Sequence, residues 1–127
     1  MAVNFKAVPK KNPSKQDDPP KYYAQVVSSG EMSMRQVAKQ ISAISTVSTT
    51  DTVAVIEAFL EVVPQTLADG KIVRLGDFGS FSLTLSSEGV ADAASLGAKD
   101  ITRVNVKFRP GKEFAKVIDT IEFTKTV

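Results

Sequence analysis

At Asp69-Gly70 the repeat of the apolar residues changes from helical to alternating, and that change constrains the fold more than any other feature of the chain. Before it the spacing is helical. Val37, Ile41 and Ile44 fall at i, i+4 and i+7 and so share one helix face. Val53, Ile56, Phe59, Leu60, Val63 and Leu67 form a second, broader stripe. After it the repeat is two. Phe81, Leu83 and Leu85 alternate with Ser80, Ser82 and Thr84. Val104, Val106 and Phe108 alternate with Arg103, Asn105, Lys107 and Arg109. Helices followed by alternating strands imply an α+β fold.

The element boundaries are written locally. Ser33 with Gln36, and Ser48 with Asp51, have capping-box spacing and mark two helix starts. Pro64 lies inside the second stripe and removes a backbone donor, which predicts a kink or an early end. The stripe continues, so the helix is expected to reach Leu67. Asp69-Gly70 closes it. Lys71 to Leu75 reads as a strand and Gly76-Asp77 as a turn. Ser86 to Ala98 is small and polar, with no Lys or Arg. Gly111 opens a last helix with Phe114, Val117, Ile118 and Ile121 on one stripe. At the start of the chain, Val3, Phe5 and Ala7 alternate as in a strand, and Tyr22 to Val27 is β-prone. The prolines of Pro9 to Pro13 and Asp17 to Pro20 exclude regular structure between them. The expected organisation is an N-terminal β extension over 1–32 and a second domain over 33–127.

Composition removes whole classes of chemistry. The 127 residues include no Cys and no His. Thiolate catalysis, Ser-His catalysis and zinc-thiolate or histidine metal sites are therefore excluded. Glu57 and Glu61 lie at i, i+4 but have no third ligand or base, and read as a solvated helix face. No enzyme activity, catalytic residue, metal, cofactor or small-molecule substrate is expected. No stretch approaches the ~18 apolar residues of a membrane span. The first fifteen residues lack the apolar run of a signal peptide, so a cytoplasmic protein without a membrane partner is expected. The net charge is only +2. Its distribution says more, because residues 99–127 carry seven basic groups against four acids. An anionic partner is expected there.

Two glycine motifs carry a family resemblance. Val73-Arg74-Leu75-Gly76-Asp77-Phe78-Gly79-Ser80-Phe81 follows Phe59-Leu60-Glu61, and Phe108-Arg109-Pro110-Gly111-Lys112 comes later. The chain from Ser33 to Ile121 resembles the HU family of bacterial nucleoid proteins, which includes integration host factor. The leader of residues 1–32 is similar to the HU-like variants of Bacteroidetes, whose HU domain follows a strand-forming extension. The resemblance implies two N-terminal helices, a three-stranded antiparallel sheet with a β-arm, a C-terminal helix and a homodimer. It also implies an architectural, nucleoid-associated protein that binds double-stranded DNA with low sequence specificity. The family's arms bend DNA through the minor groove with an apolar wedge at their tips.

The chain departs from that pattern in the arm. Thr84 and Ser86 stand where the family carries arginines, and Glu88 to Ala98 contains no Pro, Arg or Asn. Phosphate contact is therefore expected from Arg103, Lys107, Arg109 and Lys112, with Arg74 and the basic leader as auxiliaries. Alternating positions of one strand stand about 6–7 Å apart, near the phosphate repeat of a DNA strand. The competing expectation is an HU-fold interaction module that has lost arm-mediated bending. Phe78, Phe81 and Phe108 are expected in the core rather than as base-stacking platforms.

Overall fold

The computed structural model describes residues 2–15 and 17–126. The chain divides into two compact units, Met1–Ser33 with Val117–Val127, and Met34–Lys116. Three α-helices and two three-stranded sheets make up an α+β fold.

In the first unit, β1 (Ala2–Lys10) pairs antiparallel with β2 (Lys21–Val27). The strand runs through Pro9, which the sequence placed in an irregular segment. The reason lies in the edge. The Phe5 carbonyl accepts a hydrogen bond from the Thr126 N–H at 2.8 Å. By alternation, the Pro9 nitrogen points to the same side, where nothing pairs with it among the described residues. A proline is tolerated where no donor is needed. The sheet is completed by a strand that the helical reading of Ile121 missed. The last helix, α3 (Lys112–Ile118), stops short of Ile121, and β6 (Glu122–Lys125) pairs parallel with Ala2 to Phe5.

In the second unit, α1 (Met34–Ala43) begins directly after Ser33. Ile44 lies one residue beyond its end and is 88% exposed, so the expected helical stripe is reduced to Val37 and Ile41. The next helix, α2 (Thr49–Ala68), starts at Ser48, whose Oγ accepts from the Asp51 N–H at 3.1 Å. It continues through Pro64 to the expected end. There the Gly70 N–H donates to Leu67 and the Lys71 N–H to Thr66, the paired bonds of a Schellman cap.

The second sheet has the order β3 (Val73–Arg74), β4 (Gly79–Ser87), β5 (Ile101–Pro110), antiparallel throughout. The strand expected over Lys71 to Leu75 is thus only two residues long. A 3-10 turn over Gly76–Phe78 leads into β4. The end of β5 presses against this turn. The Gly111 N–H donates to the Phe78 carbonyl at 2.9 Å, and a Cβ on Gly111 would strike the Asp77 carbonyl. A Cβ on Gly79 would strike the Arg109 carbonyl and the Phe108 ring. The rings of Phe78, Phe81, Phe108 and Phe114 gather at this joint, with centroids 4.8–5.6 Å apart. Phe81, Phe108 and Phe114 are half-buried packing residues, whereas Phe78, in the turn rather than on an alternating strand, is 46% exposed and falls short of the core position expected for it.

Between Ser87 and Ile101 the chain is a folded loop rather than an extended strand pair. The register shifts at Ser86/Ser87, and two 3-10 turns follow, Ala93–Ser95 and Ala98–Asp100. The Glu88 N–H closes the loop on the Asp100 carbonyl at 2.8 Å. Asp92 and Asp100 accept from the backbone of Ala94 and Gly97 within it.

Gly79→Ala tests the joint. Gly79 has φ +145° and ψ −166°, a region essentially confined to glycine. Strain and overpacking together should cost about 2–4 kcal/mol. Urea unfolding should show a clearly lowered midpoint. A midpoint equal to that of the parent protein would mean that the approach at Gly79 is not tight.

Candidate nucleic-acid interface

Alternation gives the second sheet two unlike faces. Phe81, Leu83, Val104, Val106 and Phe108 occupy one. The other carries Arg103, Asn105, Lys107 and Arg109 on β5, opposite Ser86, Thr84, Ser82 and Ser80 on β4. Arg74 on β3 pairs with the same Ser80, so Arg74, Ser80 and Arg109 form one row across all three strands. Neighbouring strands are about 4.8 Å apart, which sets the two arginine backbones about 10 Å apart across Ser80. Arg74, Ser80 and Arg109 line a shallow cavity of about 240 Å³, with Gly76, Gly79 and Gly111 among its walls.

The charge on this face is of one sign. The three strands contain Arg74, Arg103, Lys107 and Arg109 and not one Asp or Glu. All four cations are exposed. Among the described residues none of them has an ion-pair partner, the single ion pair being Lys116 to Glu113 at 3.8 Å. Lys112 stands apart from the row, at the first position of α3. Arg103 lies at the far end, opposite Ser86 and beside the register shift. The role of Ser80 as the bridge between Arg74 and Arg109 was not readable from spacing, because it depends on which strands pair. No group of acidic residues suited to a metal occurs among the described residues. None of the described helices is long and apolar enough to cross a membrane.

The apolar face has an equally distinct character. Phe59, Leu60, Val63 and Leu67 of α2 and Phe81, Leu83, Val104 and Val106 of the sheet line an apolar groove of about 590 Å³. Phe59 is 39% exposed and Val106 66% exposed. Among the described residues only Ala38 and Leu67 are fully buried apolar side chains.

The profile of the family described as an HU domain fused to wHTH, Ig, or glycine-rich motif matches residues 1–125, and the chain belongs to that family. Two solved structures share the fold. A candidate bacterial DNA-binding protein from Bacteroides vulgatus matches with a TM-score of 0.65 at 17% identity, over 98% of this chain. The chain spans 48% of that protein. Anabaena HU, crystallised with DNA, matches with a TM-score of 0.55 at 19% identity, over 70% of this chain and 99% of its own. Comparison with curated proteins gives no significant match.

The exposed cations contribute little to folding. Substituting Arg103→Ala and Lys107→Ala together should change stability by no more than about 0.5 kcal/mol per site, as for surface positions without special contacts. Thermal unfolding of the double variant should match the parent. A drop of several degrees would give these residues a structural role instead.

Proposed function

We propose that this chain is a non-enzymatic, architectural DNA-binding protein that holds double-stranded DNA by its phosphates. The observation that carries the reading is the acid-free sheet face bearing Arg74, Arg103, Lys107 and Arg109. Lys112 at the start of α3 is an auxiliary. Membership of an HU-domain family supports this, as does the fold shared with an HU crystallised on DNA. Such a row meets the backbone and carries no sequence information, so specificity is low. The protein acts in the bacterial cytoplasm, on the nucleoid.

The working form is a homodimer. Two fully buried apolar residues are a thin core for a chain that is 43% apolar. A second copy covering the groove under α2 supplies the missing burial. The second reading, an interaction module, is favoured by one feature. The loop between β4 and β5 carries Glu88, Asp92 and Asp100 against Lys99 alone. That charge suits neither wrapping nor wedging DNA, and it argues for weaker bending than arm-bearing relatives produce.

Fluorescence anisotropy on duplex DNA across a salt series tests the site. Four contacts per subunit in a dimer give a log–log slope of roughly −7 at about −0.9 per phosphate. The double substitution Arg103→Ala, Lys107→Ala should flatten it by about 3–4 without altering sequence preference. An unchanged slope would move the binding face elsewhere. Absence of duplex binding at low salt would leave the interaction module.

Light scattering at micromolar concentration should return a dimer, and a stable monomer would defeat the assembly. Phe59→Ala should cost about 3–5 kcal/mol, with a midpoint that depends on protein concentration.

A further inference from the structure

The β1–β2 hairpin has two unlike faces, one without charge and one that holds all three of its lysines beside Val8, Tyr23 and Gln25. Cross-strand partners project to the same side. Phe5, Ala7 and Pro9 share a side with Val26, Ala24 and Tyr22. Lys6, Val8 and Lys10 share the other with Gln25, Tyr23 and Lys21. The two strands contain three lysines and no acid. Lys10 and Lys21 face each other directly in the register. Like charges placed opposite one another destabilise a strand pair, and none of the three lysines has an ion-pair partner among the described residues.

The ends of these strands and their connecting loop form a pocket. Lys10, Lys15 and Lys21 line a concavity of about 220 Å³ with Asn12 and Tyr23, against one acid, Asp18. The Lys10 ammonium stands 5.8 Å from the centre of the Tyr23 ring. The loop is locally organised, since the Asn12 side chain accepts hydrogen bonds from the Ser14 N–H and hydroxyl at 3.1 and 2.8 Å.

We infer that this lysine face is a second, separate contact for the phosphate backbone of duplex DNA. The inference rests on the DNA-binding reading above, and it adds a site in the other compact unit. The chemistry favours a phosphate polymer over other anions. Lysine is depleted in the cores of protein–protein interfaces, and the apolar surface on this side of the hairpin is limited to Val8 and Tyr23. Membrane-surface segments bury a broad apolar face beside their cations, whereas the lysine side here carries only Val8 and Tyr23, and Phe5, Ala7, Pro9 and Val26 lie on the opposite side. A run of phosphates requires only a row of flexible point charges, which lysine supplies. The hairpin also provides a cluster of cations, where the loop between β4 and β5 has Lys99 alone against three acids.

The test uses the full chain and three variants, by anisotropy on one duplex over a salt series. Lys10→Ala, Lys21→Ala should weaken binding about tenfold at low salt and flatten the log–log slope by about 2 per chain. Lys10→Arg, Lys21→Arg should retain both, because charge is kept. Arg103→Ala, Lys107→Ala reports separately on the sheet. The hairpin sites are exposed, and removing a like-charge pair should leave the thermal midpoint unchanged or raised. If the sheet variant loses affinity and the alanine hairpin variant does not, the hairpin contact is wrong and the sheet site stands. The reverse result keeps the hairpin and removes the sheet. Parent protein that binds no duplex at low salt overturns both. Lysine-dependent binding to phosphatidylglycerol vesicles, with duplex binding insensitive to the lysines, would make the hairpin a membrane contact instead.

Discussion

The second unit depends on a contact between two stretches of backbone that no side chain could enter. Gly79 lies against the Arg109 carbonyl and the Phe108 ring, and Gly111 against the Asp77 carbonyl. Two glycines permit the turn before β4 and the end of β5 to touch. Four phenylalanine rings then close over the contact. The consequence for the site is direct. With β3, β4 and β5 locked in this register, Arg74 and Arg109 fall on one row across Ser80. A slip of one residue would send the β5 cations to the apolar face. The steric fit at the joint thus fixes the polarity of the sheet.

Charge and apolar surface are segregated with little compensation in both units. The strands β1 to β5 contain no Asp or Glu, and among the described residues their lysines and arginines stand without a paired carboxylate; only β6 brings an acid, Glu122, to either sheet. A stability-driven surface would intersperse the signs, since like charges along a face repel. The net charge of +2 conceals this arrangement because the acids sit in helices, loops and turns, apart from Glu122 of β6.

What was legible in the sequence was what is decided locally. The start of α2 is set by Ser48 and its end by Gly70, each through bonds to residues a few positions away. The packing side of Phe81 and Phe108 followed from alternation, while the exposure of Phe78 in its turn did not. What was missed depends on distant partners. β6 exists because Ala2 to Phe5 offers it an edge, more than a hundred residues away in sequence, although Ile121 and Phe123 already alternate with Glu122 and Thr124. Ile121 was read as helical because it also continues the spacing of Phe114 and Ile118. Ile44 likewise matched a helical repeat, but α1 ends before reaching it. The pairing of Arg74 with Arg109 through Ser80 was invisible for the same reason, since strand order is not a local property.

The partial coverage of β1 bears on solubility. Among the described residues its partner β6 reaches only Phe5, and the backbone from Lys6 to Lys10 has no strand beside it on that edge, an edge of the kind that recruits strands from other molecules. Pro9 withholds a donor from that edge, and lysines stand on either side of it. A strand arriving from a second molecule would find an interrupted ladder and two like charges. The same residues that break the local pattern therefore disfavour edge-to-edge pairing along the uncovered half of the strand.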